Sequence, residues 1–406
     1  MNFYKISIGI LTLFYALYIF NYPPSFYNDD ALFLSNGVEN YSIIDFSPHF
    51  PGYPFIILFT KFINLFINDS VFSLFIFTSF CAILLPLIIF LYVKELRDER
   101  RAFIAFLLSL TSPYLVNLSL SMLSDSVGLF FLFLGLYLFE KNRDKTSAVI
   151  FAIAFFSRPS YLIFFIVGFI YIFIFKKKRV KTLLLYFLLT TLFFLVYIFI
   201  TNGMLFLYEA KRFIVGHFSL WGTGQNTNLT WFENIFCLIN LPFVLLIYAF
   251  YKFEKKLVLL YILFFSYLLW ILFAQNPDNI RHLIPLIFFS IVFISKTLEK
   301  QKVLPLLIIC FNIYSILLFN QKLSPIDQII KEIDEQNRVI ISNRSIEILR
   351  NSLENRVFDH YYINSSKYLM ENKKIYLIST IKPLTKYFKE FKGRFVGEQS
   401  FYLSKN

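Results

Sequence analysis

The chain has 406 residues, of which 57% are hydrophobic and 16% charged, and its mean hydropathy is +0.63. A soluble globular domain carries nearer a quarter charged residues, so this composition excludes most soluble folds. The net charge of +13 does not indicate nucleic acid, because the basic residues sit in short loops beside apolar runs and form no aromatic-interleaved patch.

Residues 4–20 are apolar, lack a small-residue cleavage site and run directly into Tyr22-Pro23-Pro24, which reads as an uncleaved first span. The loop over 21–70 holds Asp29, Asp30, Glu39, Asp45 and Asp69 against a single basic residue, Lys61, and so belongs on the non-cytoplasmic side. Within it, residues 54–67 are apolar but shorter than the roughly 20 residues a spanning helix needs. Thr60, Lys61 and Asn64 share one helical face there, which predicts a helix lying flat on the outer surface.

Further spans are expected at 71–93, 102–118, 126–139, 147–157, 160–175, 182–200, 234–251, 257–274, 283–295 and 303–320. Basic clusters at Lys94 to Arg101, Lys141 to Lys145, Lys176 to Lys181, Lys252 to Lys256 and Lys296 to Lys302 mark cytoplasmic loops. About 11 spans therefore start inside and end outside. Cys81, Cys237 and Cys310 lie within apolar runs, without CxxC spacing or a His pair, and point to neither metal nor redox chemistry.

Beyond 320 the chain turns polar. Ser324-Pro325 caps a helix through about Gln336, Arg338 to Ser342 reads as a strand, Ile346 to Leu353 as a helix, and Arg356 to Ile363 and Lys374 to Thr380 as strands. The expected architecture is an all-α membrane bundle over 1–320, with its interfacial helix, followed by a small α/β extracytoplasmic domain over 321–406.

Four polar clusters remain once the cytoplasmic loops are set aside, and all map to the outer face: Asn28-Asp29-Asp30 with Ser47 to Pro54, Ser124-Asp125-Ser126, Ser157-Arg158-Pro159-Ser160, and Gln275 to His282. Ionisable groups at the mouths of spans are costly unless paired or hydrated, so Asp125 and Arg158 are either functional or a structural ion pair. One of the adjacent Asp29 and Asp30 can cap a helix while the other faces a cavity, which makes the pair the leading source of a general base; Asp29, first of the two in a loop nearly free of basic residues, is the expected base, with Asp30 and His49 shaping the acceptor site. His49 and Tyr53 follow in the Pro-rich turn. Arg281, with Gln275 and His282 beside it, supplies the guanidinium that a phosphate site requires, or anchors a helix at the interface. The loop over 201–233 adds Glu209, Lys211, Arg212, His217, Trp221 and Trp231, with exposed Trp suited to a sugar ring or to interfacial anchoring.

The acidic pair after the first span, the turn Phe50-Pro51-Gly52-Tyr53-Pro54, Asp125 opening the fourth span, and Arg158 between two short spans together resemble the GT-C superfamily of membrane glycosyltransferases. The branch that looks nearest holds protein O-mannosyltransferases and lipid A aminoarabinose transferases, with the likeness most specific over about 1–175. The resemblance implies a polyprenyl-phosphate sugar donor, a lipid, glycan or protein acceptor, a first-loop carboxylate as base and inversion at the anomeric carbon. The usual Asp-Glu pair of that family is Asp29-Asp30 here. Catalytic roles then fall to Asp29, Asp30 and Asp125, and substrate binding to His49, Tyr53, Arg158, Arg212, Gln275, Arg281 and His282.

This chemistry calls for no organic cofactor; no metal-ligand set is assigned, and a divalent cation is left open. The bilayer is a partner and nucleic acid is not. The cell membrane, with the site on its outer side, is the expected location. An O-antigen-type ligase or polymerase, or a lipid-linked sugar flippase, are the competing readings. The first would depend less on a first-loop carboxylate, and the second would show internal repeats, which are not evident in this sequence.

Overall fold

Asp69 and Asp98 each accept a hydrogen bond from a backbone N–H in the first turn of the helix that follows (2.9 Å from Phe72 and 2.9 Å from Arg101), so two helix starts are set by side chains a few residues from an apolar run. In a computed structural model, the chain is described over residues 2–405 apart from 222–229, 238, 239, 241, 242, 244, 247–249, 252, 302, 334–338, 361–374 and 384–387. The described helices are α1 (Asn2–Phe20), α2 (Asp29–Glu39), α3 (Pro54–Ile67), α4 (Ser70–Leu96), α5 (Glu99–Leu110), α6 (Pro113–Leu120), α7 (Ser124–Glu140), α8 (Asp144–Ser157), α9 (Leu162–Phe175), α10 (Lys177–Asn202), α11 (Leu205–Gly216) and α12 (Trp231–Ile235). After the undescribed stretch come α13 (Val258–Ala274), α14 (Ile284–Leu298), α15 (Val303–Leu317), α16 (Pro325–Glu332) and α17 (Ile346–Ser352).

Five helices among the described residues are long and apolar enough to cross a membrane: Phe3–Phe20, Ser70–Leu96, Lys177–Asn202, Lys255–Ala274 and Ile280–Leu298. This is an integral membrane protein, but the count falls below the 11 spans expected. Part of the difference is physical. The expected span over 102–118 is two helices, α5 and α6, bent by 60°, because Pro113 disfavours the helical conformation at Ser112, which is extended (ψ 127°). In the expected span over 234–251, residues 238, 239, 241, 242, 244 and 247–249 lie outside the described residues. The remaining expected spans coincide with helices shorter than 18 residues, such as α7 and α8.

α4 and the segment Ile280–Leu298 form the centre of the bundle, with 72% and 78% of their apolar windows buried, whereas α1 and α10 are peripheral at 17% and 22%. Over residues 6–20 of α1 and 182–200 of α10 the exposed side chains, among them Phe14, Leu185 and Ile200, are apolar, as contact with lipid tails requires. α3 has the expected bounds, but its orientation is the reverse of a helix with its polar side outward. Thr60 is fully buried against the bundle while Phe62, Leu65 and Phe66 are exposed. The polar side chains serve packing here, with Asn64 accepting from Ser73 at 3.1 Å.

The C-terminal segment builds a five-stranded sheet in the order β2-β1-β3-β5-β4, with β1 Val339–Ser342, β2 Arg356–Asp359, β3 Ile375–Ser379, β4 Lys389–Phe391 and β5 Phe401–Lys405. β1 pairs in parallel with β2 and β3, while β5 is antiparallel to β3 and β4. The sheet does not stand apart from the bundle. Leu32 of α2 shares a buried cluster with Ile340, Ile348, Val357 and Ile378, and Phe395 and Val396, from the turn between β4 and β5, are buried in the core of the helical bundle. β1, β2 and β3 fall where strands are expected from the sequence, whereas β4 and β5 are not among the expected elements.

Candidate active site

The start of α2 fixes the site. Asn28, in an extended conformation, precedes the helix without capping it through its side chain, and Asp29 and Asp30 occupy the first turn, where the helix dipole favours negative charge. Both line a cavity of about 700 Å³. They face different partners. Asp30 Oδ2 accepts a hydrogen bond from the Arg281 guanidinium at 3.1 Å, and its Oδ1 lies 3.9 Å from His49 Nδ1. Asp29 Oδ1 accepts instead from the backbone N–H of Ile348 in α17, at 3.1 Å.

These surroundings push the two carboxyls apart. Burial raises Asp29 to about 6, against the smaller opposing effect of the Ile348 N–H. Burial would raise Asp30 too, but the charges facing it, His49 and then Arg281, hold it below the usual carboxylate range. Burial also lowers His49 against the attraction of Asp30. The His49 ring is wedged between Tyr53, whose hydroxyl lies 3.2 Å from Nε2, and Phe213, stacked at 5.2 Å with 16° between the planes.

Arg158 lies deep in the same cavity, in the sharp turn between α8 and α9. Its guanidinium pairs with Asp125 Oδ1 at 3.0 Å and donates to Ser124 Oγ at 3.1 Å. Gly128, one turn beyond Ser124, makes room for it, since a Cβ there would collide with the Arg158 stem. Asp125 is not part of the cavity wall. It touches Arg158 from behind, so it orients the guanidinium and balances its charge. Asp125→Ala should leave a buried, unpaired guanidinium, destabilising the fold by roughly 3–5 kcal/mol. A thermal melt of the purified variant checks this, and an unchanged midpoint would show that the pair carries no structural weight.

The other candidates fall in two groups. Gln275, Asn276, Arg281 and His282 are gathered at the cavity by the turn before α14, and Arg281 Nε, Arg158 Nε, His49 Nδ1 and His282 Nδ1 are buried without a hydrogen-bond partner. Buried donors left in this state are suited to an incoming acceptor group. Arg212 sits at the rim, half-exposed, paired with Glu209 at 2.8 Å and placed over the Phe46 ring. Trp231 is buried rather than exposed and is absent from the cavity wall; the side chain of Trp221 lies outside the described residues.

Asn343, Arg344, Ser345, Glu398 and Gln399 from the C-terminal sheet also line the cavity, and sequence reasoning assigned none of them. The signal available was the spacing of Gly393 and Gly397 in a chain with only 12 glycines, which marks a close backbone approach. Among the described residues, no three His, Cys, Asp or Glu side chains converge to hold a metal ion.

Residues 48–202 match the profile of the dolichyl-phosphate-mannose-protein mannosyltransferase family. No curated protein sequence matches the chain. Among solved structures, the oligosaccharyltransferase of Archaeoglobus fulgidus in the apo form is 12% identical with a TM-score of 0.56, the match covering 93% of this chain and 69% of that one. ArnT from Cupriavidus metallidurans in the apo state is 9% identical with a TM-score of 0.56, covering 98% of each chain. The A. fulgidus oligosaccharyltransferase in complex with Zn and sulfate is 12% identical with a TM-score of 0.52, covering 92% of this chain and 67% of that one. At these identities the likeness establishes a common fold. The resemblance to GT-C membrane glycosyltransferases is borne out by the fold and by the family profile together.

Proposed function

We propose that the protein transfers a sugar from a polyprenyl-phosphate carrier to an acceptor hydroxyl, with inversion, at the non-cytoplasmic face of the cell membrane. The observation that carries this reading is one cavity lined both by a carboxyl that burial raises to about 6, Asp29, and by two buried guanidiniums, Arg281 and Arg158. The match to a family that uses dolichyl-phosphate-mannose supports it.

A sugar on a lipid phosphate carries its leaving group already. The protein must therefore bind the phosphate, whose charge grows as the glycosidic bond breaks, and must remove a proton from the acceptor. Arg281 and Arg158, both lining the cavity and each with a buried, unpartnered Nε, supply the cationic side. Asp30 is held ionised by Arg281 and keeps that guanidinium aimed. Asp29 takes the proton from the acceptor hydroxyl, whose oxygen attacks the anomeric carbon from the face opposite the departing phosphate. His49 and Tyr53 shape the wall beside the pair. Among the described residues Asp30 faces Arg281 and His49, and one Asp29 oxygen accepts from the Ile348 N–H. The steps above use no divalent cation.

Incubating the purified protein with a panel of polyprenyl-phosphate sugars tests the reading: release of lipid phosphate from at least one is expected, and release from none would refute it. The outer placement has its own check. Cysteines at Ile44 and Ser352, both exposed, should be labelled from the same, non-cytoplasmic side of intact cells. Labelling of the two from opposite sides would separate the sheet from the first loop and break the topology.

A further inference from the structure

The turn between β4 and β5 is driven into the bundle at the point where Asp30 meets Arg281. Val396 O accepts from Asn117 Nδ2 of α6 at 2.9 Å, and Gly397 O accepts from the Tyr27 hydroxyl at 3.1 Å. The Phe395 ring stacks on Tyr27 at 5.9 Å. Arg394, 1% exposed, holds the turn closed by pairing with Glu398 (2.6 Å) and also donates to the Ser25 carbonyl at 3.1 Å. One side of the turn thus grips residues 25–27, immediately before Asp29 and Asp30. The other side touches Ile280, immediately before Arg281. Gly397 has φ +88°, and a Cβ there would lie 2.6 Å from Ile280 Cγ2 and 3.2 Å from Asn117 Nδ2, so this contact has no slack.

We infer that the turn over 393–399 is a positioning element, a wedge that sets the spacing across the Asp30 to Arg281 pair and thereby aims Arg281 at the donor phosphate. The inference rests on the donor reading proposed above. It makes the C-terminal sheet part of the site, acting on Arg281 through Ile280 and on the carboxylate side through Tyr27. A side chain at Gly397 pushes Ile280 away and turns Arg281 off its line. The same substitution in a turn that merely stabilises the sheet would lower thermal stability and leave donor affinity alone.

The test is titration of the full-length protein in detergent with undecaprenyl phosphate, with a thermal melt run in parallel. Wild type should bind and Arg281→Lys should bind more weakly; if wild type does not bind, the donor reading fails and this inference falls with it. With that control in place, Gly397→Ala should weaken binding at least tenfold, and adding Ile280→Ala should recover most of the loss. The backbone strain of alanine at φ +88° is present in both variants, so the recovery isolates the push on Ile280. Unchanged affinity in Gly397→Ala with a lowered melting midpoint, or a loss that Ile280→Ala does not reverse, overturns the inference. Should Gly397→Ala fail to fold, Asn117→Ala, which frees the Val396 carbonyl, must weaken binding threefold or more, and wild-type affinity there also overturns it.

Discussion

Asp29→Asn should reduce turnover by roughly a hundredfold or more while donor binding persists, because it removes a general base and little else. The amide keeps the size of the carboxylate, and its oxygen can still accept the Ile348 N–H that Asp29 Oδ1 accepts at 3.1 Å, so the junction between α2 and α17 is retained. Asp30→Asn acts differently. It leaves Arg281 without its charged partner, and its effect should appear in donor affinity as well as in turnover. The pH dependence separates the two further. Burial places Asp29 at about 6; below that pH the carboxyl holds a proton and cannot accept one, and above it the base is free. The rate should therefore rise with pH through about 6 and level off above, and Asp29→Asn should abolish that limb. Near-normal turnover in Asp29→Asn with complete loss in Asp30→Asn would move the base to Asp30. If both variants stay active, the mechanism fails.

The sequence points to Asp29 as the base, from its place in an acidic loop, but the partners that give the two carboxylates different surroundings were not legible in it. Neighbours on a helix point about 100° apart, so adjacency promised two different environments without saying which residue would receive which. The deciding partners, Arg281 and Ile348, lie 251 and 319 residues away. What could be read was local. The short apolar run at Pro54–Ile67 ended where expected, since Asn68 closes it and Asp69 caps the next helix. The pairing of Asp125 with Arg158 was one of two readings that the cost of buried charge allowed. The break between α5 and α6 is signalled by Pro113, but hydropathy averages across Thr111-Ser112-Pro113 and gives one continuous span. β4 and β5 are short and mix charged with apolar residues, as in Lys389-Glu390-Phe391, and only pairing, of β5 with β3 and of β4 with β5, makes them strands.

That long-range dependence explains how the site recruits the C-terminal sheet. α2 carries the carboxylates on one end and buries Leu32 among sheet residues on its flank, so the same helix serves the bundle, the cavity and the sheet. Loosening the sheet would move Asp29 through Ile348 and Asp30 through the segment gripped by Arg394. The polar groups to which the chemistry is assigned in the proposed reaction are held at a seam, where a small backbone shift on either side changes their separation.

Arg281→Lys should lower kcat/KM by about ten- to a hundredfold, the equivalent of losing a charge-assisted hydrogen bond of roughly 1.5–3 kcal/mol. Lysine keeps the positive charge, and an ammonium near Asp30 preserves an ion pair, so gross misfolding is not the expected outcome. What it loses is the planar fork. In the arginine, one arm is committed to Asp30 at 3.1 Å while Nε is buried without a partner, a geometry in which a single group can hold the carboxylate and present further N–H donors to phosphate oxygens. A single ammonium cannot serve both at fixed positions. The fall should therefore lie mainly in donor KM and donor affinity if phosphate is bound equally in the ground and transition states, and in kcat if the grip tightens as the glycosidic bond breaks. Steady-state kinetics with the donor varied distinguishes the two, and full activity in Arg281→Lys would reduce the residue to an anchor of α14 at the membrane interface.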